Sequence, residues 1–210
     1  MFTFVPMLFT DTYLTIAKPS EAIFRDRASK FIGIAMPVSS EQEMKQALEA
    51  IKKKYFDATH HCYAFRLGFD KTAFRFNDDG EPSGTAGRPI FGQIQSKDVT
   101  NVLIVVVRYY GGTKLGVSGL INAYKTAAKD ALEANTIIER TVNDVYEVFF
   151  DYAHMNDVMR ILKDENVEQR AHHFDTECRI EFMVRKLHTE RITGMFTHLK
   201  DVRLTYINTI

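Results

Sequence analysis

A chain of 210 residues, with 45% hydrophobic and 26% charged residues, has the composition of a soluble globular protein of one large or two small domains. Its 27 basic and 27 acidic side chains cancel, which excludes the strongly basic balance of an obligate nucleic-acid binder and leaves any RNA contact to a local patch. Cys62 and Cys178 show neither metal-ligand nor redox spacing, so we expect reduced thiols in a cytoplasmic protein. The apolar residues 1–9 have no basic leader, and we expect neither a signal peptide nor a membrane span.

The first part of the chain alternates short apolar runs with helical periodicity. Strands are predicted at 13–18, 31–35, 62–68, 74–76 and 102–107. A capping box at 40–43 starts an amphipathic helix, and a short helix follows Thr85, with Ser83 or Thr85 as its N-cap. A third helix ends near Asn135 and has this predicted apolar face: Val117, Leu120, Ile121, Tyr124, Ala128, Ala131 and Leu132. We therefore expect two helices covering a sheet of about four strands.

The pattern changes after a short linker at 135–141. Strands are predicted at 142–150, 167–173 and 202–207, and another strand carries apolar residues at alternate positions from Cys178 to Val184. Helical stripes lie between them, at 155–162 and 192–199. The predicted order is βαββαβ, the ferredoxin-like arrangement. On the strand with Cys178, Arg179 and Arg185 should lie on the solvated face, while Phe182 should be buried.

Two segments of the first part resemble working loops. Residues 77–90 are rich in acidic, small and turn-forming types, which predicts a polar loop. Residues 108–116, Arg-Tyr-Tyr-Gly-Gly-Thr-Lys-Leu-Gly, join a buried strand to a helix. Free backbone N–H groups, the helix dipole and Lys114 could converge there on a phosphate-bearing ligand, although the spacing of a P-loop is absent. The alternative is that the glycines only permit positive φ and a close turn.

Several side chains near these loops are candidates for chemistry, each with a structural alternative. Asp78, Asp79 and Glu81 suit a divalent cation or acid–base work, but equally an ordinary solvated turn. A complete metal-ligand set is lacking, so we predict no metal and no cofactor.

The nucleophile candidates also have structural alternatives. His60 and His61 begin a strand and should point to opposite faces, so that one of them faces the loop. We interpret Cys62 as a core residue and Ser83 as a cap, and therefore do not predict a hydrolase.

Three separated motifs closely resemble the signature of the YigZ/IMPACT family, and the resemblance covers nearly the whole chain. They are Asp-Ala-Thr-His-His-Cys-Tyr-Ala at 57–64, Phe-Asn-Asp-Asp-Gly-Glu-Pro-Ser-Gly-Thr-Ala-Gly at 76–87 and Val-Val-Arg-Tyr-Tyr-Gly-Gly-Thr-Lys-Leu-Gly at 106–116. The resemblance implies an α+β protein with a ribosomal protein S5 domain 2-like domain over 1–137 and a ferredoxin-like domain over 138–210. With no room for the RWD domain of the eukaryotic members, the layout is similar to the bacterial YigZ branch.

The resemblance also implies a function. Eukaryotic members of the family are translational regulators that act through protein partners, and the same succession of two folds occurs in elongation factor G. We therefore expect a cytoplasmic, non-enzymatic regulator of translation or stress response that binds RNA or a ribosome-associated partner, not a membrane. The alternative is an enzyme acting on a small phosphorylated or nucleotide substrate between the loop 78–88 and the turn 111–116. Catalytic residues are not assigned, and the expected ligand-binding residues are His60, His61, Asp78, Asp79, Glu81, Ser83, Thr85, Arg88, Arg108, Gly111, Gly112 and Lys114.

Overall fold

The computed structural model describes residues 11–175 and 177–210, so the expectations for residues 1–9 lie outside the described residues. Two compact units are present: one is Tyr13–Arg140, and the other combines Thr141–Ile210 with Asp11 and Thr12. Across the described ranges, no helix combines the length and the apolar character needed to cross a bilayer.

The first unit is built around a five-stranded antiparallel sheet. Its elements are β1 (Thr12–Ile16), β2 (Ser20–Asp26), β3 (Ser29–Pro37), α1 (Glu41–Lys54), β4 (His60–Leu67), β5 (Ala73–Asn77), α2 (Gly87–Ser96), β6 (Val102–Tyr109), α3 (Gly116–Glu133) and β7 (Ile137–Thr141). The strand order of the large sheet is β2-β3-β6-β4-β5, and β1 pairs with β7 in a separate two-stranded sheet. β6 is therefore the central strand, which explains its uninterrupted apolar run.

Helices cover both faces of this sheet. Val102, Ile104 and Val106 of β6 pack with residues of α2 and α3, whereas the alternate residues of β6 pack with Met44 and Ile51 of α1. The expected arrangement, a sheet of four strands covered by two helices, is therefore wrong: the sheet has five strands, and three helices pack on it. The missed strands are β2, an edge strand with its Ile23 side chain exposed, and β7, which lies within the predicted linker at 135–141.

The capping box before α1 is only partly of the expected form. Ser40 Oγ accepts a hydrogen bond of 3.2 Å from the Glu43 backbone N–H, as predicted. The Glu43 carboxylate accepts from the backbone N–H and the hydroxyl of Ser39 instead of from Ser40. These bonds from Ser39 lower the pKa of Glu43.

The predicted apolar face of α3 is partly wrong. Val117 is 61% exposed and Ile121 38% exposed, while Ala123 and Ala127 are fully buried. The reason is the close approach of α3 to β3: a Cβ on Gly33 would lie 2.1 Å from the Ala127 carbonyl oxygen. Only small side chains fit between backbones at that distance, so an alanine stripe faces the sheet and the larger residues lie at its margin.

The second unit has the predicted βαββαβ order. Its elements are β8 (Asn143–Phe150), α4 (Met155–Asp164), β9 (Glu168–Phe174), β10 (Cys178–Arg185), α5 (Thr189–Thr197) and β11 (Arg203–Thr209), and its strand order is β11-β8-β10-β9. Phe182 is fully buried beside Phe196, as predicted.

The two arginines of β10 differ in environment. Arg179 lies 4.0 Å from Glu147, at an exposed position. Arg185 instead donates two hydrogen bonds, of 2.7 and 2.9 Å, to the buried carboxylate of Asp11, and this contact lowers the pKa of Asp11. Arg185 thus lies on the exposed face, as predicted, and its guanidinium in addition binds Asp11 within the second unit.

Candidate functional site

Asp78 organises the acidic loop by capping α2 from a distance. Its Oδ2 accepts from the Gly84 N–H at 2.9 Å, and its Oδ1 accepts from the N–H groups of Ala86 and Gly87 at 3.0 and 2.8 Å. The N-cap residue of α2 is Ala86, whose methyl side chain cannot accept a hydrogen bond. Asp78 therefore replaces it and satisfies donors that the helix leaves free.

The predicted caps are consequently wrong. Ser83 is exposed on the loop, and the Thr85 hydroxyl donates to the Pro82 carbonyl oxygen at 2.7 Å. Sequence reasoning missed Asp78 as the cap because capping rules consider the residues adjoining the helix, whereas this carboxylate comes from the start of the loop. The absence of a side chain at Gly87 lets the start of α2 approach the backbone beside Asp78, because a Cβ on Gly87 would lie 2.7 Å from the Asn77 nitrogen.

Asp79 joins the loop to β4. Its Oδ2 accepts from the His61 backbone N–H at 2.7 Å, and its carbonyl oxygen lies 2.7 Å from His60 Nδ1. A carbonyl oxygen can only accept, so Nδ1 of His60 carries the proton. The other imidazole, of His61, donates through Nε2 to the Tyr55 carbonyl oxygen at 2.9 Å, while its Nδ1 lies 3.9 Å from Asp79 Oδ2. The two histidines thus lie in different environments, in agreement with the expected alternation.

Glu81 and Arg108 form a buried ion pair. Oε1 of Glu81 accepts from Arg108 Nη1 at 2.5 Å and from the hydroxyl of Tyr124 at 2.7 Å. Burial raises the pKa of the Tyr124 phenol, which keeps it a neutral donor. The Arg108 guanidinium also lies over the rings of Phe31 and Tyr110, with 5.4 and 5.3 Å between Cζ and the ring centroids.

One donor of this pair is left over. Arg108 is 5% exposed, and within residues 11–175 and 177–210 its Nε is the one buried side-chain nitrogen or oxygen without a hydrogen-bond partner. Buried polar groups are nearly always paired in folded proteins, so this N–H is available to an acceptor from outside the chain, such as a ligand oxygen or a water molecule.

A cavity of about 530 Å³ lies between the acidic loop and the glycine-rich turn. Its polar lining includes His60, Glu81, Arg108 and Lys114. Its apolar lining is formed by Pro82, Tyr110, Leu115, Val117 and Leu120. The volume and the mixture of apolar walls with few polar groups are typical of sites for small ligands.

The cavity gathers only some of the predicted site residues. Four candidates line it: His60, Glu81, Arg108 and Lys114. Asp78, Asp79, Thr85 and His61 instead have the structural contacts described above, and Ser83 and Arg88 are exposed elsewhere on the loop and on α2. Sequence reasoning missed Tyr110 and Leu115, although both lie inside the motif at 106–116, because the anion-binding hypothesis depends on glycines and cations and gives apolar side chains no role.

The two adjacent glycines of the turn have different roles. Gly111 donates its N–H to Ser29 Oγ at 3.2 Å, and a Cβ there would lie 2.2 Å from the Ala28 carbonyl carbon. Gly112 has φ +84° and Gly116 has φ +75°, a region that favours glycine. The turn places the N-terminus of α3 at the cavity. The N-cap residue is Leu115, whose hydrocarbon side chain cannot accept a hydrogen bond from the first N–H groups of the helix.

The three carboxylates of the loop do not converge. Asp78 faces the start of α2, Asp79 faces β4, and Glu81 faces Arg108. In the part of the chain that the structure describes, there is no group of three or more His, Cys, Asp or Glu side chains placed to hold a metal ion. The carboxylates therefore form neither a metal site nor an ordinary solvated turn: each accepts hydrogen bonds from a different part of the first unit, and Glu81 is buried.

Cys62 belongs to the core cluster that also contains the cavity residues Leu115 and Leu120, and it is not suited to nucleophilic chemistry. It is fully buried, its thiol donates to the Asp78 carbonyl oxygen at 3.0 Å, and burial raises the pKa of that thiol. A neutral thiol is a poor nucleophile.

We therefore expect Cys62 to resist alkylation by iodoacetamide at pH 8 in the folded protein, and to react once the protein is unfolded in urea. Peptide mass analysis of Cys62, with the fully buried Cys178 as an internal reference, measures this. Rapid labelling of Cys62 in the native protein would contradict the burial described here.

Comparison with known proteins places this site in a family. Residues 27–132, about half of the chain, match the model of the Impact N-terminal domain. IMPACT family member YvyE of Bacillus subtilis is 30% identical over 203 residues, 93% of this chain and 94% of the relative. IMPACT family member YigZ of Escherichia coli is 32% identical over 154 residues, 72% of this chain and 76% of the relative. A crystal structure described as that of a hypothetical protein is 26% identical and superposes with a TM-score of 0.74, covering 95% of this chain and 98% of the other. The chain therefore belongs to the IMPACT family.

Proposed function

We propose that this protein is a cytoplasmic regulator of translation or stress response. In this proposal it binds RNA or a ribosome-associated partner through the first unit, at the cavity between the loop 78–88 and the turn 111–116. Family membership supports the regulatory role, because the resemblance described above implies that role for the eukaryotic members.

The observation that carries the choice of surface is the concentration of positive charge at the cavity. Arg108, Lys114 and the N-terminus of α3 all contribute positive potential, and Glu81 offsets only one of these charges. The chain as a whole is neutral, so this is the kind of local patch that RNA binding requires.

The fold names implied by the family are also part of the proposal. We assign the first unit to the S5 domain 2-like fold and the second to the ferredoxin-like fold, with a domain boundary near residue 137. The βαββαβ order and the strand order β11-β8-β10-β9 of the second unit support this assignment.

Lys114→Ala tests the proposed surface. Lys114 is exposed at the cavity, so its loss should weaken RNA or ribosome binding for many sequences alike. The slope of log K against the logarithm of the salt concentration should decrease in magnitude by roughly 0.7 to 0.9, which is the contribution of one phosphate contact. Fluorescence anisotropy with generic RNA, and sedimentation with ribosomes, over a series of salt concentrations, measure both quantities.

Lys125→Ala is the matched control, because Lys125 is an exposed lysine on the same helix, away from the cavity. Equal behaviour of the two variants would contradict an RNA site at the cavity. The alternative, an enzyme acting on a small phosphorylated or nucleotide substrate, predicts a different result. Lys114→Ala would then abolish affinity for such a compound in a nucleotide panel and leave RNA and ribosome association unchanged.

A further inference from the structure

We propose that the cavity binds a phosphate monoester carried on a nucleoside, either a free mononucleotide or the phosphorylated end of an RNA strand. This inference rests on the proposed binding function of the cavity and adds the chemical class of its ligand. Three features of the lining carry it: unused hydrogen-bonding groups, an excess of positive charge, and an exposed aromatic ring.

The first feature is the set of hydrogen-bonding groups that the protein leaves unused. Nε of Arg108 is buried and finds no acceptor anywhere in the described part of the chain. Nε2 of His60 lies 3.8 Å from Glu81 Oε1, too far for a hydrogen bond. The contact of Nδ1 with the Asp79 carbonyl oxygen fixes the ring, so Nε2 is the nitrogen left for a ligand. Because Nδ1 carries the proton, Nε2 of the neutral ring is an acceptor. An anionic phosphate oxygen would therefore accept from Nε of Arg108, while a hydroxyl of the ligand, such as one on the ribose, would donate to Nε2 of His60.

The second feature is charge, which favours a terminal phosphate over an internal one. The lining holds two permanent cations, Arg108 and Lys114, against one carboxylate, Glu81, and the N-terminus of α3 adds partial positive charge. A phosphate monoester carries up to two negative charges, whereas an internal phosphodiester carries one. The helix N-terminus also offers backbone N–H groups to the additional terminal oxygens.

The third feature is the ring of Tyr110, which is 45% exposed beside Arg108. Tyr110, Leu115 and Val117 form an apolar wall next to the charged end of the cavity. A flat nucleobase can stack on such a ring with little dependence on its identity. The cavity volume of about 530 Å³ leaves room for more than the phosphate alone.

The test compares ligands that differ only in the phosphate. The full chain is titrated with three oligoribonucleotides of one sequence, bearing a 5′-phosphate, a 3′-phosphate or hydroxyls at both ends, and separately with AMP, adenosine and inorganic phosphate. We expect a phosphorylated ligand to bind about tenfold tighter than its hydroxyl counterpart, since charged hydrogen bonds are gained. Tight binding of AMP alone would identify a mononucleotide as the ligand, and tight binding of one phosphorylated RNA would identify a strand end.

Two variants locate the binding. His60→Ala removes the Nε2 acceptor and should weaken AMP binding about tenfold, and it leaves both residues of the buried Arg108–Glu81 pair in place. Tyr110→Ala should weaken AMP binding about tenfold while leaving inorganic phosphate unchanged. Phe56→Ala is the control, because Phe56 is an 82% exposed aromatic residue outside the cavity lining. Circular dichroism confirms that each variant is folded.

The outcomes separate this inference from the proposed function. Equal affinity for phosphorylated and hydroxyl ligands overturns the inference, even if RNA and ribosome binding remain sensitive to Lys114→Ala. Binding of AMP without any RNA or ribosome association upholds the inference and overturns the proposed regulatory contact. AMP binding that is unchanged by both His60→Ala and Tyr110→Ala places the site elsewhere and overturns the inference.

Discussion

Replacing Arg108 by leucine is expected to lower the free energy of unfolding of the first unit by about 3–5 kcal/mol, because the Glu81 carboxylate would remain buried without its cation. Both side chains are almost completely enclosed, 6% and 4% exposed, so solvent replaces the lost partner only poorly. Urea denaturation followed by circular dichroism, with hydrogen exchange of the β6 amides to isolate the first unit, measures the loss.

Two further variants sharpen this prediction. Arg25→Leu removes an exposed arginine from the edge strand β2 and should change stability by less than about 0.5 kcal/mol. Adding Glu81→Leu and Tyr124→Phe to Arg108→Leu removes the buried carboxylate and its phenol donor, and should recover much of the lost stability. A loss below about 1 kcal/mol for Arg108→Leu alone would mean that the pair is solvated.

Asp78→Ala should have the second largest effect, a loss of about 2–4 kcal/mol, because three backbone N–H groups lose one charged acceptor. The N-terminus of α2 and the loop that precedes it should then exchange their amide hydrogens faster. Hydrogen exchange over residues 78–96, together with urea denaturation, provides both measurements.

Ser83→Ala is the matched control for this loop. Capping rules applied to the sequence favour Ser83, whereas the structure leaves it exposed, so its replacement should cost less than about 0.5 kcal/mol. The reverse ranking, with Ser83→Ala the more harmful change, would show that the cap is local and that Asp78 has another role.

Local periodicity predicted the fold where a segment is buried in a regular way. β6 is central and apolar at every position from 102 to 107, and the residues of β10 alternate cleanly, so both strands were recognisable. β2 was missed because its pattern is mixed: Ile23 lies on the exposed side of an edge strand together with Glu21 and Arg25. Edge strands are only partly constrained by burial, and their composition is correspondingly ambiguous.

The candidate site was predictable as two segments but not as a set of contacts. Composition and glycine spacing indicated the loop and the turn, and both line the cavity. The contacts that define its chemistry join distant residues, such as Glu81 with Tyr124 and His60 with Asp79. Such pairs depend on how β4 and α3 are placed by the sheet, and a single sequence has no local pattern that records them.

The contact of Gly111 with Ala28 and Ser29 offers a way to detect ligand binding in the cavity without changing any residue of its lining. Gly111 lies against Ala28 and Ser29, close enough that a single added methyl group would overlap their backbone atoms. The turn that carries Lys114 therefore packs directly against the hairpin between β2 and β3. We expect a ligand that shifts this turn to disturb the hairpin as well, where Arg27 is exposed and Arg27 and Ala28 both have positive φ. The amide resonances of Ala28 and Ser29, or a spin label at position 27, would therefore serve as reporters of occupancy that leave the cavity lining intact.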